Sequence, residues 1–505
     1  MSKSRTQNAK LNIAFALVLQ IVTFFRGLIL PRIIIPAYGS DVNGLISSIT
    51  QFLTYISLLE AGVGSIFRTS LYKPLANGDM EGVSGVINEQ KRFYRKIGLI
   101  FVFYVIALCF VYPMIAKTET DKTFIVTCIL ILSISTFAEY FFSLPYVSLL
   151  SADQKVRISY IVSIVYTIVN ILVSLFWVAL KADIRLIYLS MSIIGLLRPL
   201  FYTLYVKMHY ALNKKAVCNR DALNQRWNGI VHHFAFYVHT NTDSTILTLF
   251  ISTAMVSVYN VYNAIICGIY GVVLSVSNSV AAGLGNLLVM GNKDQINRTV
   301  DSFELLQAGL TTMLYTIVAL TLIPFVRIYT AQMTDMPYIQ PLFGYIMVIS
   351  GAIYCFRCIY STISLNANKY KETQLGAVLE CVVNLVLSLV LVLVANMGLV
   401  GIAIGTAMGM LVRYIFDVCF LSKNVLNRSV FRSFKMLFVS VLIAVLSIAI
   451  CHVVLPYDAI DSMIRWLLIA LATAGITALL AVIVYTIFYR NTVKVLVQKI
   501  LRKEN

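Results

Sequence analysis

The chain has 505 residues, of which 59% are hydrophobic and 12% charged, and its formal net charge is +18. Its apolar runs reach the ~20 residues that a helix needs to cross a bilayer, which excludes a soluble globular protein. The basic residues gather in alternate loops instead of forming one charged face, so no nucleic acid is expected as a partner.

The apolar runs predict fourteen membrane-spanning helices. In chain order they lie at 11–35, 42–67, 97–116, 123–150, 156–180, 185–208, 229–252, 255–289, 303–329, 339–363, 373–395, 398–421, 433–455 and 462–489. Only α-helices and closed barrels span lipid, and these runs lack the alternation of barrel strands, so the predicted fold is all-α. The run at 255–289 is too long for one straight span and should end in an interfacial turn near Gly283 or Gly285.

Two stretches of the chain repeat one pattern at an offset of about 215 residues. Asn170 in the first copy matches Asn384 in the second, and Arg198 matches Arg413 at nearly the same offset. A nearly constant offset that aligns polar residues predicts two pseudo-symmetric lobes in parallel orientation. The predicted divisions are an N-lobe of six helices at 1–208, a cytoplasmic linker at 209–228, a C-lobe of six helices at 229–421, and two helices with a tail at 422–505.

Lysine and arginine mark one side of the predicted bundle. An even number of helices puts both termini on the same side, and the loops on that side carry most of the basic residues, as between 68 and 96 and between 207 and 226. The positive-inside rule therefore predicts that both termini are cytoplasmic. The N-terminus lacks a signal-peptide cleavage site, so the first apolar run should remain as a spanning helix.

Four arginines fall inside predicted helices: Arg26, Arg198, Arg357 and Arg413. A charged side chain at the bilayer centre costs at least ~2.5–3.5 kcal/mol on insertion scales, so such residues usually face a cavity or a partner. The planar guanidinium suits bidentate contact with phosphate oxygens, which makes these residues candidates for binding a phosphate-bearing substrate. The competing interpretation is that they reach the headgroups or pair with nearby acids.

Acidic residues inside the helices are candidates for coupling transport to a cation. Glu60, Glu139 and Asp243 could each carry a proton, and the alternative for each is an interhelical ion pair with an arginine. His239 lies four residues before Asp243, so the two share a helix face and could form a protonatable pair. No third ligand stands at a matching spacing, so neither a metal site nor a cofactor is expected.

The repeat-matched asparagines Asn170 and Asn384 have two interpretations. Their amides could line a cavity and bind sugar hydroxyls. They could instead form interhelical hydrogen bonds that hold the bundle together, which is a common role for amides in membrane helices.

The layout of six, six and two helices is accompanied by three local features. These are helix two with its loop from Gly44 to Arg68, Asp243 followed by Tyr259-Asn260, and the linker at 209–228. On these features the chain resembles, over nearly its whole length, the superfamily of multidrug and toxin extruders (MATE) and polysaccharide flippases. Within it the chain is most similar to bacterial O-antigen and capsule repeat-unit flippases of the Wzx type.

This resemblance implies a V-shaped pair of six-helix lobes around a cavity, inward- and outward-facing states, and an undecaprenyl-pyrophosphate-linked oligosaccharide as substrate. It also implies that basic cavity residues hold the pyrophosphate or acidic sugars. Drug extruders of the superfamily typically carry an acid in helix one, where this chain has Arg26 and no acid. That departure favours an anionic cargo over a cationic drug.

The leading hypothesis is therefore a transporter, not an enzyme, that moves the lipid-linked repeat unit from the inner to the outer leaflet of the bacterial cytoplasmic membrane. Membrane lipids, a polysaccharide polymerase and a chain-length regulator are the expected partners. One alternative is a cation-coupled multidrug antiporter that uses Glu60 or Asp243. Another is a glycan polymerase or ligase, which is less favoured because the outer loops are short. No Walker motif is present, which disfavours an ATP-driven pump.

Overall fold

The computed structural model describes residues 5–60, 63–217, 237, 241–290, 292–369 and 371–501. All regular secondary structure within those ranges is helical, without a strand. By length and apolar composition, thirteen helices of the described chain could cross a membrane. This confirms the predicted all-α membrane fold and makes the chain a multi-pass membrane protein.

The helices of the first half begin close to the N-terminus. They are α1 (Arg5–Tyr38), α2 (Ser40–Thr54) with a 3₁₀ turn at Tyr55–Glu60, α3 (Val63–Ala76), α4 (Met80–Ile115), α5 (Lys122–Ala138) with a π-helical turn at Glu139–Ser143, α6 (Leu144–Ala152), α7 (Arg157–Ala179), α8 (Ile184–Gly195) and α9 (Leu197–His209). Between α1 and α2 the chain turns at Gly39, whose φ of 88° is a conformation that favours glycine.

The second half begins with helical residues that end in a π-helical turn. That turn (Leu247–Ile251) is followed by α10 (Thr253–Met290), α11 (Lys293–Tyr329), α12 (Pro341–Asn366), α13 (Gln374–Leu393), α14 (Gly398–Asn424), α15 (Phe431–Val454), a 3₁₀ turn at Tyr457–Ala459, α16 (Met463–Phe488) and α17 (Arg490–Leu501). The seventh predicted helix, at 229–252, lies mostly outside the described residues, although its last part, from 241 to 251, is helical.

Several helix boundaries differ from those predicted, and the predicted spans 42–67 and 185–208 are each divided into shorter helices. The helices α4 and α11 begin earlier than expected, because they continue as polar helices beyond their apolar runs. Asp79 caps α4 by accepting a hydrogen bond from the Gly82 backbone N–H at 2.8 Å. The predicted turn near Gly283 or Gly285 is wrong, since α10 continues unbroken to Met290. Glycine weakens a helix without blocking it, and a long helix can tilt or project from the membrane.

Contacts along the backbone divide the chain into a first unit, Met1–Val258, and a second unit, Tyr259–Asn505. In the first unit, one core forms around Tyr94, Phe101 and Tyr112 of α4. The segment 241–258 belongs to this unit, whereas the composition of the chain had suggested a boundary at the linker, 209–228. The functional division into lobes stays a prediction.

Close packing between α13 and α14 holds the second unit together. A Cβ atom on Gly405 would lie 2.1 Å from the Ser388 hydroxyl, and one on Gly409 would lie 2.9 Å from the Glu380 carbonyl oxygen. Small residues let two membrane helices approach to this distance, so their van der Waals contact is extensive.

Candidate functional site

The first unit holds a half-exposed ion pair inside its helices. Arg198, at the start of α9, places Nη2 3.4 Å from the Glu139 carboxylate, with 26% of the arginine side chain and 40% of the glutamate side chain exposed. The guanidinium also lies over the ring of Tyr166, 5.0 Å from its centroid. Glu139 begins the π-helical turn, an irregularity that often marks a functional position in a helix. Both partners can therefore be reached from outside the protein core.

Glu60 lies close to this pair at a second irregularity. It ends the 3₁₀ turn that follows α2, and the Tyr94 hydroxyl donates a hydrogen bond to its carboxylate at 2.5 Å. Its charge interacts with those of Glu139 and Arg68. A Cβ atom at position 64 would lie 2.9 Å from the carboxylate oxygen, so Gly64 leaves the space that this oxygen occupies. Two predicted coupling acids thus share one electrostatic neighbourhood.

Arg26 is half-buried on α1 and lies near Tyr188 of α8. Its Nε atom is enclosed and has no hydrogen-bond partner among the described residues. An enclosed donor without a partner is unfavourable, so Arg26 has hydrogen-bonding capacity to offer a ligand or water.

The arginines of the second unit have acidic partners. Arg357 on α12 lies 4.0 Å from Glu380 of α13 and 3.7 Å from Asp417 of α14, and Arg413 donates from Nε to Asp417 at 3.0 Å. All four side chains are at most 11% exposed. The four formal charges balance, and the arrangement is the ion pairing that the sequence left open as the alternative to substrate binding.

The two repeat-matched asparagines are fully buried but differ in their contacts. Asn384 donates from Nδ2 to the Thr406 hydroxyl at 2.8 Å and so joins α13 to α14. The side-chain amide of Asn170 has no hydrogen-bond partner in the described part of the chain. Asn384 thus makes an interhelical hydrogen bond, and sugar binding by either residue stays a prediction.

Of the other coupling candidates, Asp243 is buried among the helical residues 241–251. His239 lies outside the described residues, so its predicted pairing with Asp243 stays untested. Over the part of the chain that the structure describes, no three His, Cys, Asp or Glu side chains form a group able to hold a metal ion.

A charged network at the start of α11 was missed by the sequence reasoning. Arg428 lies 2.9 Å from Asp301 and 2.5 Å from Glu304, and both acids are buried. Arg432 also pairs with Asp301, and the Tyr360 hydroxyl donates to Glu304. The acids stand three residues apart on one face of α11, opposite two arginines four residues apart. That spacing was the available signal, but Asp301, Arg428 and Arg432 fall in predicted loops and only Glu304 lies within a predicted helix, 303–329.

Comparison with known proteins identifies the fold. No family model and no curated protein sequence matches the chain. The structure resembles that of the lipid II flippase MurJ in an inward closed conformation, with 15% identity, 96% of this chain and 99% of that chain covered, and a TM-score of 0.74. It also resembles an inward-facing MATE family multidrug resistance transporter of the MOP superfamily, with 12% identity, 80% and 95% covered, and a TM-score of 0.57.

A eukaryotic MATE transporter gives a similar result, with 13% identity, 85% of this chain and 98% of that chain covered, and a TM-score of 0.56. At these identities the likeness establishes the fold alone. The chain is a multi-pass membrane protein with the fold shared by the lipid II flippase MurJ and the MATE transporters.

Proposed function

We propose that this protein is a flippase that moves an undecaprenyl-pyrophosphate-linked oligosaccharide repeat unit from the inner to the outer leaflet of a bacterial cytoplasmic membrane. The observation that carries the proposal is the likeness to the lipid II flippase, which extends over 96% of the chain at a TM-score of 0.74. The MATE transporters cover less of the chain at lower scores. A lipid-linked cargo is therefore favoured over a drug.

The cargo would carry phosphate, and the first unit offers arginines suited to it. Arg198 is partly exposed and has one acidic partner at 3.4 Å, which a pyrophosphate could displace. Arg26 has an enclosed Nε without a hydrogen-bond partner among the described residues. Arg357 and Arg413 could bind the cargo only after leaving buried ion pairs, so we assign them a secondary role, together with the enclosed Asn170 and Asn384.

Transport would proceed by alternating access, in which the cargo shifts the balance between two conformations of the protein. Glu60 and Glu139 are the favoured sites for a coupling cation, because the two carboxylates are near enough to interact electrostatically and Glu139 also pairs with Arg198 at 3.4 Å. Asp243 and His239 are the second choice. The basic loops support a cytoplasmic location for both termini, and a polymerase and a chain-length regulator would use the flipped product.

A cation-coupled multidrug antiporter is the second candidate function. The likeness to MATE transporters supports it, as do the acids inside the first unit. The absence of an acid in helix one, where Arg26 stands, weighs against it.

Deletion of the gene in its host separates the two functions. A flippase predicts loss of surface polysaccharide, accumulation of the lipid-linked intermediate in the inner leaflet, and unchanged drug susceptibility. Complementation with Arg26→Ala or Arg198→Ala should fail while the protein still inserts in the membrane. Arg185→Ala is the control, because Arg185 is exposed and its ion pair is with the equally exposed Asp183 at the start of α8. Normal surface polysaccharide with lowered drug resistance would instead support the antiporter.

A further inference from the structure

Helices α13 and α14 leave an open apolar groove between them near the C-terminal end of α14. Its volume is about 520 Å³, which lies within the ~300–1,000 Å³ of ligand pockets. We call it the α13–α14 groove, and it is lined by Leu379 of α13 and by Val412, Ile415, Phe416, Phe420 and Lys423 of α14. Leu379 and Ile415 are 37% and 41% exposed, and apolar side chains exposed on a membrane helix are solvated by lipid tails. The groove is therefore accessible from the bilayer.

A glycine and two stacked rings shape this groove. A Cβ atom on Gly376 would overlap the ring of Phe416, so the ring lies directly against the α13 backbone. Phe416 stacks on Phe420, with ring centroids 6.1 Å apart and an angle of 2° between the planes. Further from Lys423, Gly405 brings the two helices into contact and closes the groove. The groove thus has a flat aromatic wall and a definite inner limit.

The length of the groove matches one leaflet of a bilayer. Lys423 and Val412 are eleven residues apart on α14, a distance of roughly 16 Å at 1.5 Å per residue. The hydrocarbon core of a bilayer is ~30 Å thick, so one leaflet contributes ~15 Å. An acyl chain whose headgroup lies at Lys423 would therefore extend along the whole groove.

Lys423 supplies a positive charge at the mouth of the groove. It is exposed and forms no ion pair in the described part of the chain, whereas Lys369, before the start of α13, pairs with Glu372 at 2.9 Å. Arg428 and Arg432 follow Lys423 along the chain, which supports a cytoplasmic location for this end. An anionic headgroup complements the charge of Lys423, because a zwitterionic headgroup already balances its own phosphate.

The first unit has a groove of similar size but different chemistry. It lies between α7 and α8, has a volume of about 490 Å³, and none of its lining residues is charged. Trp177 lines it close to the C-terminal end of α7. The α13–α14 groove instead lies towards the N-terminal end of α13, the repeat counterpart of α7. The groove of the first unit can hold an acyl chain, but it offers no charge to a headgroup.

We propose that the α13–α14 groove binds an anionic phospholipid of the cytoplasmic leaflet. The phosphate lies on Lys423, and one acyl chain lies along Phe416 and Phe420 towards Val412. The polyprenyl tail of the proposed cargo fits less well, because it is far longer than the groove. The bound lipid fills the space between α13 and α14 and so links their packing to the composition of the membrane. This inference does not depend on the identity of the cargo.

Native mass spectrometry of the full chain, released from detergent, tests the proposal. Phosphatidylglycerol and phosphatidylethanolamine with identical acyl chains would be titrated separately into the purified protein. We expect the first phosphatidylglycerol to bind with a Kd about fivefold lower, the factor equivalent to the ~1 kcal/mol that one basic residue gains near an anionic surface. Lys423→Gln should abolish this preference. An unchanged preference in Lys423→Gln would overturn the proposal.

Lys207→Gln is the matched control for the charge. Lys207 and Lys423 are both exposed lysines in the last turn of a helix, α9 and α14, but Lys207 does not line the α13–α14 groove. The preference for phosphatidylglycerol should therefore survive in Lys207→Gln. Loss of the preference in both variants would mean that total charge, and not the groove, selects the lipid, which would also overturn the proposal.

Filling the groove tests the acyl chain separately from the charge. Ile415→Trp places a larger side chain in the groove and leaves Lys423 in place, so phosphatidylglycerol should bind about tenfold more weakly as its chain loses van der Waals contacts. Ile193→Trp is the control, because Ile193 is a 53% exposed isoleucine in the groove of the first unit. Wild-type affinity in Ile415→Trp would show that the headgroup binds alone, and would overturn the groove as the site.

Photocross-linking locates the bound lipid. A phosphatidylglycerol with a diazirine at the end of one acyl chain should label α14 around Val412, and Lys423→Gln should reduce this labelling about fivefold. Even labelling of all lipid-exposed helices would overturn the site. Displacement of the probe by undecaprenyl phosphate at a lower concentration than by phosphatidylglycerol would assign the groove to the cargo and overturn the inference. Neither measurement uses transport, so the lipid site and the proposed function can fail separately.

Discussion

Arg198 in the first unit and Arg413 in the second occupy matched positions of the sequence repeat, yet their surroundings differ. Arg198 is partly exposed and has one acidic neighbour, Glu139, at 3.4 Å. Arg413 is buried and bonded at 3.0 Å to Asp417, which Arg357 also approaches. One copy of the repeat has thus kept an accessible cation, and the other has enclosed its cations in a neutral cluster.

Two substitutions within the repeat account for the difference. Tyr166, whose ring lies under Arg198, corresponds to Glu380 in the second unit. Tyr202, four residues after Arg198, corresponds to Asp417, four residues after Arg413. Tyr166 and Tyr202 add no carboxylate beside Arg198, whose pair with Glu139 stays half-exposed, whereas the corresponding carboxylates of the second unit form buried ion pairs. The first unit therefore keeps a partly exposed guanidinium, which is the one we propose for phosphate binding, whereas the matched arginine of the second unit joins helices through a buried ion pair.

The largest expected effect follows from removing the shared acid of the second unit. Asp417→Ala leaves Arg357 and Arg413 buried with too few partners, which should destabilise the protein by about 3–5 kcal/mol. Thermal unfolding in detergent and the yield of monodisperse protein measure this loss. An Asp417→Ala variant as stable as the wild type would show that the cluster is not structural.

Grafting the acid of the second unit into the first should remove function while keeping the fold. Tyr166→Glu places a carboxylate beside Arg198, which should compete with phosphate and lower transport by about tenfold, equivalent to ~1.4 kcal/mol. Tyr166→Phe keeps the ring and serves as the control. Wild-type transport by Tyr166→Glu, with normal expression, would contradict the assignment of the cargo site to Arg198.

The acidic partner in the first unit should matter little to stability. Glu139→Gln breaks a half-exposed pair, and such pairs contribute at most ~1 kcal/mol. Thermal unfolding of the Glu139→Gln variant and of the Asp417→Ala variant under the same conditions compares the stability that each cluster contributes. A loss as large as that from Asp417→Ala would show that both clusters serve the same structural role.

The smallest expected effect concerns the matched asparagines. Asn384→Ala breaks the bond to Thr406, while Asn170→Ala breaks no side-chain hydrogen bond among the described residues. Both changes leave a similar cavity, so the difference in unfolding free energy should be about 0.6 kcal/mol, the average for one interhelical hydrogen bond in bacteriorhodopsin. An equal or reversed effect would mean that the Asn384–Thr406 bond does not stabilise the bundle.

Much of this fold follows from the sequence, because apolar length alone decides which segments can cross lipid. The polar first turns of α4 were not predicted, because the prediction relied on apolar runs and these turns do not contain one. The membrane arginines were recognised individually, but their partners were not. Whether Arg357 meets Glu380 depends on which faces of α12 and α13 pack against each other. One amino-acid sequence does not specify that packing.

The hydrogen bonds between α2 and the segment 241–257 were not predictable for a related reason. Ser48 and Thr248 are ordinary residues in a membrane helix, and only the approach of two distant segments makes them a pair. Repeat matching had treated Asn170 and Asn384 as equivalent, whereas the structure gives a bond to Thr406 only to the second. The sequence repeat therefore identified both asparagines as a matched pair but did not show that they make different contacts.

Binding of undecaprenyl pyrophosphate to purified protein in nanodiscs tests the central claim most directly. The wild type, Arg198→Ala and the exposed control Arg185→Ala would be compared by titration. The account predicts that Arg198→Ala raises the Kd about tenfold or more, a loss of ~1.4 kcal/mol or greater, while Arg185→Ala leaves it unchanged. A wild-type Kd for Arg198→Ala in folded protein would contradict it.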